Sequence, residues 1–370
     1  MIQDFLEAFD PRFHPGFVIT IAFLVSFFTA LLSYPAIINV ASSRNLVDGE
    51  NKRSSHKGKV TQLGGVGIYL GLVLVITTIG AVLDTTLLLL LLGGMTILFF
   101  LGLKDDLYLL SPRKKFIGQV LAAGLFILFV DMRIKGLSGL FEINVMPYWL
   151  SVAFTLFLYL LIINAYNLID GIDGLAGGLA LVGSVAFGIY FLMSKDMTMV
   201  VVAAAMVGTL MPFLRKNLSK RNKMFMGDTG SMLIGLVMAV FTVRLISVSE
   251  LEKATLFYRS APALALAAIF LPLLDTLRIF IIRIFIHKKS PFVADKNHIH
   301  HQFLNMGYSH AKTSLILVII NTLLIGLSFA LKSQPLSTQL GIICAVGSMS
   351  YILPFMIGRY RGRNRHKEVA

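Results

Sequence analysis

Residues 150–175 read LSVAFTLFLYLLIINAYNLIDGIDGL. The run from Leu150 to Asn164 carries no charge, yet the stretch closes on Asn164, Asn167, Asp170 and Asp173. A helix needs about 20 apolar residues to cross the hydrocarbon core of a bilayer, so the run has the character of a span. Two carboxylates and two amides at its end are unusual, because polar groups taken out of water cost free energy unless they find partners. What needs those groups at the end of a span is the question the rest of the chain has to answer.

The surrounding sequence is of the same kind. Of 370 residues, 56% are hydrophobic and 14% charged, with a formal net charge of +14. A soluble domain carries roughly 25% charged residues, so this balance calls for lipid as solvent. The single Cys344 excludes an internal disulfide framework and a cysteine zinc cage. The opening MIQDFLEAFDPRFHPG is acidic and lacks the basic start of a cleaved signal peptide, so the run that follows is expected to remain as a span. Apolar segments fall near 17–40, 64–83, 86–103, 115–131, 148–165, 174–193, 197–214, 230–246, 261–287, 312–331 and 338–358. The expectation is an all-α, polytopic membrane bundle of eleven helices, or ten because the third and fourth segments are short. With no repeat and no loop long enough for a soluble domain, residues 1–370 are expected to form one membrane-embedded domain.

Lysine and arginine set the orientation. The loops 41–63, 104–114, 166–173, 215–229 and 288–311 and the tail 359–370, with their edge residues, hold 24 Lys and Arg against 10 Asp and Glu, whereas the other side holds 7 against 9. The basic side is therefore expected in the cytosol, with the N-terminus outside and the C-terminus inside. This excess of positive charge suits contact with anionic lipid, and it equally suits anionic substrates. Nucleic acid is not an expected partner.

Asp105, Asp106, Asp170, Asp173 and Asp228, together with His298, His300 and His301, all fall on that basic side. Asn167, Asp170 and Asp173 are spaced i, i+3, i+6 and would share one stripe if the helix continued through them; helix capping by Asp173 is the plainer reading. Asp228, in MGDTGS, can likewise cap a helix or hold a hard cation. Mg²⁺ takes oxygen ligands and binds through one or two carboxylates, which Asp228 and one of the 167–173 groups could supply. Asp105-Asp106 is similar to a DDxxD run but has Leu109 in the third place, and with Arg113, Lys114 and Lys115 following it also reads as a neutralised loop. HIHH at 298–301 lacks the partners of a zinc site and suits phosphate oxygens better.

With HKGKVTQLGGVGIYLG (56–71), LGLKDDL (101–107), NAYNLIDGIDGLAGG (164–178), FMGDTGS (225–231) and HIHH (298–301) in order, the chain resembles the polyprenyl-phosphate N-acetylhexosamine-1-phosphate transferases over nearly its whole length. HIHH is similar to the N-acetylglucosamine-1-phosphate branch rather than the phospho-MurNAc-pentapeptide translocases. The resemblance implies an Mg²⁺-dependent enzyme, Mn²⁺ being the alternative metal, at the cytosolic face of a bacterial inner membrane. It would move a sugar phosphate, GlcNAc-1-phosphate in that branch, from a UDP-sugar to undecaprenyl phosphate, releasing UMP. Such a step opens the synthesis of cell-envelope polysaccharide. A homodimer is compatible with it.

Carried over by position, the resemblance makes Asp228 the metal ligand, with Asn167 beside it. Asp105 and Asp106 match the pair at the lipid phosphate. Asn167, Asp170 and Asp173 match nucleotide and pyrophosphate contacts, Phe225 an aromatic under the uracil, and His298, His300 and His301 histidines near the diphosphate. Asn217 stands one residue from the position expected for a nucleotide-binding Asn. KVTQLGG departs from the family's PxPRLGG-like run, which leaves Lys59 and Gln62 without an assigned role. Two rivals differ in where the acids belong. A secondary transporter would place ionisable groups near the midplane on paired half-helices. An intramembrane prenyltransferase would want two acidic clusters, which 105–106 and 170–173 could mimic, but the missing third acid, the basic and histidine-rich loops and GDTGS argue against it.

Overall fold

The computed structural model describes residues 13–44, 60–137, 139–251, 259–286 and 298–368, with Pro11 and Lys288. Lys59 and the 45–59 part of the first basic loop lie outside the described residues, as do residues 289–297. The helices are α1 Pro15–Ser43, α2 Gly64–Ile79, α3 Thr85–Leu107, α4 Pro112–Phe129, α5 Tyr148–Ile169, α6 Leu175–Met193, α7 Met197–Asn217, α8 Gly227–Leu251, α9 Ala261–Ile281, α10 Ile299–Asn305, α11 His310–Ala330 and α12 Leu336–Glu368. Helix α9 continues as a π-helical turn, Ile282–Ile286. No strand forms among the described residues; one isolated parallel bridge joins Thr61 to Met224.

Ten of these helices are long and apolar enough to cross a membrane. The eleventh expected segment, 115–131, does form a helix, α4, which packs between α3 and α5. Arg113, Lys114 and Lys115 open it, so its apolar part is shorter than that of the ten. Helix α8 is the axis of the bundle: it packs against α2, α3, α5, α6 and α9, and its side chains from Met232 to Val243 are almost all buried. The outer helices keep large apolar side chains uncovered, among them Leu32 on α1, Phe129 on α4 and Met349 on α12. In water such surface would be a liability; in lipid it is the solvated face.

Several boundaries depart from expectation at the basic end. Helix α3 runs on through Asp105 and Asp106 to Leu107, and α5 through Asn167 to Ile169. The stripe expected through Asp173 does not form. Asp170 ends α5 with φ −74° and ψ 45°, and the chain turns through 170–174 before α6. Gly174 closes that turn at φ +78°, a left-handed conformation that glycine adopts without a Cβ penalty. Asp173 does not cap α6, whose first position has no side-chain cap.

Candidate active site

The site forms where the ends of α3 and α5 meet the starts of α4 and α8. Gly102 makes the approach possible: a Cβ there would lie 2.5 Å from Thr229 Cα. With α3 and α8 this close, the Asp106 carboxylate reaches the first turn of α8. It accepts from the Asp228 N–H at 2.7 Å, the Thr229 N–H at 3.0 Å and the Thr229 hydroxyl at 2.5 Å. Amides in the first turn of a helix have no partner within it and carry the positive end of its dipole, so a carboxylate is the fitting cap. The cap expected from the GDTGS stretch itself is thus supplied by the neighbouring helix.

This arrangement leaves the Asp228 side chain for something else. Lys115 Nζ, on α4, bridges Asp228 and Asp105, at 2.6 Å from the latter. Asp105 is buried and also accepts from the Leu110 N–H at 2.5 Å. Asn167 donates to the Ser231 hydroxyl at 2.9 Å, which ties α5 to the same turn of α8. Below them, inside the bundle, the Asn164 amide donates to Gln119 Oε1 at 2.8 Å. Asp170 has no hydrogen-bond partner among the described residues. Burial pushes its carboxyl well above the usual range, and the nearby Asp228, Asp106 and Asp173 push it further.

On the other side of the 170–174 turn, burial would raise Asp173. Its bonds to His310 at 3.2 Å and Lys223 at 2.6 Å outweigh that and hold the carboxyl below its ordinary value. Lys223 Nζ also sits 5.2 Å from the centre of the half-buried Phe225 ring. The backbone around Phe225 is pinned: its N–H donates to Thr61 O at 2.8 Å, and the Gly64 N–H donates to Phe225 O at 2.9 Å. The TQLGG stretch therefore serves as the support of the Phe225 loop. Asn217 is buried, accepting from the Gly174 N–H at 2.6 Å and donating to Met224 O at 2.9 Å. Its amide staples the two loops together.

The histidines close the site from above. A Cβ on Gly171 would meet the His300 ring, with Cε1 at 2.6 Å, so His300 lies directly on the turn between Asp170 and Asp173. His300 is 1% exposed. Burial, with His301 and His298 adding to it and Asp275 opposing, lowers its pKa to about 3 and keeps it neutral. His301 packs against it at 4.3 Å between ring centres. His298 is held at Nδ1 by Asp275 of α9 at 2.6 Å.

Of the residues singled out from sequence, Asp105, Asp106, Asn167, Asp170, Asp173, Asp228 and His300 come together, with Phe225, His298 and His301 at the rim. The sequence pattern alone does not mark Lys115, Lys223, His310 and Asp275 as site residues. Lys115 was visible only as one of three consecutive bases, and the pairings of the other three depend on contacts between distant segments. Among the described residues no three His, Cys, Asp or Glu side chains form a closed metal cage.

A helical membrane protein with acids, lysines and imidazoles gathered at one end of its spans is the class the geometry defines. Comparison with known proteins narrows it. The model for glycosyl transferase family 4 matches residues 88–246. The chain is 30% identical to the probable undecaprenyl-phosphate N-acetylglucosaminyl 1-phosphate transferase of Bacillus subtilis (strain 168), over 88% of each chain. It is 30% identical to the undecaprenyl-phosphate alpha-N-acetylglucosaminyl 1-phosphate transferase of Escherichia coli (strain K12), over 77% of this chain and 76% of that one. It is also 30% identical to the decaprenyl-phosphate N-acetylglucosaminephosphotransferase of Mycobacterium leprae (strain TN), over 90% of each. The chain belongs to glycosyl transferase family 4, among its polyprenyl-phosphate sugar-1-phosphate transferases.

Proposed function

We propose that this protein transfers GlcNAc-1-phosphate from UDP-GlcNAc to undecaprenyl phosphate at the cytosolic face of a bacterial inner membrane. The single observation that carries the reading is the site's position: carboxylates, amides and bases meet where spans end, the one level at which a lipid phosphate and a water-soluble nucleotide can meet. An oxygen of the lipid phosphate attacks the sugar-bearing phosphorus, a new P–O bond forms, and the bond to the bridging oxygen breaks. UMP leaves with that oxygen and its electron pair.

Both reactants are anions, the nucleotide diphosphate and a monoester whose second pKa is near 6. The protein has to offset their repulsion. Lys115 and Lys223 supply positive charge, and the buried imidazoles exclude water. A hard cation also fits the donor set, because Asp228 and Asp105 already converge on one positive group, Lys115, through oxygen atoms. Asp228, with Asn167 beside it, would hold Mg²⁺ through few protein ligands, and the ion when bound would neutralise pyrophosphate charge as it develops on the leaving group. Asp106 has both oxygens engaged by α8 and Asp105 is ion-paired, which favours direct attack by the lipid phosphate over a covalent phospho-enzyme.

Membranes containing the protein should convert radiolabelled UDP-GlcNAc and undecaprenyl phosphate to a butanol-extractable, acid-labile lipid and to UMP in equal amounts. No such lipid from any UDP-sugar in a panel would overturn the reading. Orientation is checked separately. Leu109, fully exposed beside the site, replaced by Cys in a Cys344→Ser background, should be shielded from a membrane-impermeant thiol reagent in intact cells.

A further inference from the structure

Asp275 is a carboxylate in the second half of α9, inside a span, and 1% exposed. An ionisable group at that depth is costly unless it is satisfied. Three donors satisfy it. Oδ2 is 2.6 Å from His298 Nδ1. Oδ1 accepts from the Ile299 N–H at 2.9 Å and from the Tyr351 hydroxyl at 2.6 Å. Arg278, one turn further along α9, donates to the same Tyr351 oxygen at 2.7 Å. The network therefore ties α9 and α12 to the first residues of α10. It ends on a histidine whose other nitrogen, Nε2, is bonded to no other described residue.

The direction of that histidine matters. The His298 ring lies parallel to the His300 ring, 5° apart in plane and 5.5 Å between centres. His300 rests on Gly171, between Asp170 and Asp173. His298 is thus one ring removed from the turn whose Asp170 and Asp173 the family resemblance matches to nucleotide and pyrophosphate contacts. A carboxylate on Nδ1 fixes the tautomer and angle of an imidazole, and it stabilises the imidazolium that forms when the far nitrogen gains a proton.

We propose that Asp275 is a positioning residue for His298: it holds Nδ1–H, so that Nε2 is the nitrogen that protonates and hydrogen-bonds a phosphate oxygen when nucleotide occupies the site. The proton comes from the incoming phosphate or from solvent, and it returns when UMP departs, so no net proton is consumed on the enzyme. This inference rests on the proposed function for the identity of the ligand, and its test is read on the ring as well as on turnover.

Purified full-length protein with ¹⁵N-labelled histidine, in detergent, should show for His298 a protonated Nδ1. The resonance is assigned by its loss in His298→Ala. Addition of UMP should convert Nε2 to the protonated form in the wild type and not in Asp275→Asn. Asp275→Asn keeps the volume but cannot accept all three hydrogen bonds, and kcat should fall about 10- to 100-fold, the scale for a residue that orients a functional imidazole. In a His298→Ala background the same change should cost less than about twofold, since residues acting as one unit are not additive. Tyr351→Phe removes one donor but leaves the carboxylate on the ring, and should keep kcat within about threefold. A wild-type ring protonated only at Nε2 overturns the inference whether or not the variants fold. So does an Asp275→Asn loss of equal size with and without His298, which would make the network scaffolding alone. A protein that shows the UMP-dependent ring signal yet makes no lipid-linked sugar would instead sink the proposed function.

Discussion

The bundle carries a charged cluster at each end of the same helices, and the two are balanced differently. At the end opposite the site, Asp84 caps α3 by accepting from the Leu87 N–H at 3.1 Å. Asp196 caps α7 and pairs with Arg244 at 2.7 Å. Asp131 pairs with Arg133 at 2.6 Å and Lys135 at 2.8 Å. A cavity of about 150 Å³ among Asp84, Asp131, Lys135 and Arg244 is lined by equal numbers of acids and bases. At the site end, Asp105 and Asp228 share the single ammonium of Lys115, Asp106 is committed to the amides of α8, and Asp170 has no hydrogen-bond partner among the described residues. One end is closed electrostatically. The other holds carboxylates in mutual repulsion, an arrangement that costs stability unless a cation or substrate completes it. Strongly perturbed groups gathered in this way mark function rather than scaffolding.

The difference between the two ends is greatest at Asp228. Asp228→Asn keeps the shape and one oxygen but removes the charge that the proposed function sets beside the pyrophosphate. We expect at least ~10²-fold loss of turnover, the scale of one preorganised electrostatic contact, with a higher Mg²⁺ requirement and near-normal abundance in the membrane. Activity and Mg²⁺ dependence unchanged from wild type would mean that Asp228 is bound to Lys115 for structure alone.

At Asp106 one carboxylate caps α8 within the same cluster. Asp106→Ala removes an acceptor for two α8 amides and the Thr229 hydroxyl, and should cost about 1–2 kcal/mol, the scale of a lost helix cap, as well as turnover. Asp105→Asn should lower turnover while UDP-sugar binding persists, with a smaller drop in melting temperature. Equal melting temperatures for the two variants would contradict the assignment of the cap to Asp106.

At the balanced end, Asp196→Asn removes the Arg244 partner. It should cost about 1 kcal/mol of stability and leave kcat within about twofold. A loss of turnover comparable to that of Asp228→Asn would erase the distinction between the ends.

The helices were legible because lipid imposes one rule on every span, a long apolar run, and the runs are plain in this chain. The boundaries at the site were not, because polar residues after an apolar run have the pattern of a loop. Asp105, Asp106 and Asn167 are helical where α8 and Lys115 satisfy them; Lys115 is ten positions from Asp105, but the α8 partners of Asp106 and Asn167 are more than sixty positions away. The acids of the site could be found by their shared side. Their partners could not: three adjacent bases at 113–115 look alike in sequence, and only the start of α4 against α3 selects Lys115. Asp275 reads as a stray acid in a span until the fold brings His298 to it.

The smallest expected effect concerns the neutral imidazole at the centre of the site end. His300 has a pKa of about 3 in the folded protein against an ordinary value of 6.5. Below pH 6.5 the unfolded chain therefore takes up a proton that the folded chain refuses. The contribution to stability is full above 6.5 and is lost progressively as pH falls from 6.5 toward 3. Between pH 7.5 and 6.0 this amounts to roughly 0.8 kcal/mol, a fall of about 1–2 °C in melting temperature for a chain of this size. His300→Gln, which has nothing to protonate, should lose that part of the slope while the remaining acid sensitivity persists. The balanced end should contribute nothing to the difference, so Asp196→Asn should melt with the wild-type pH slope in the same range. Parallel curves for His300→Gln and wild type would show that the buried ring accepts a proton in the folded state. His300 would then be a cationic group facing the substrate phosphates rather than a neutral one, and the charge balance of the site end would have to be drawn again.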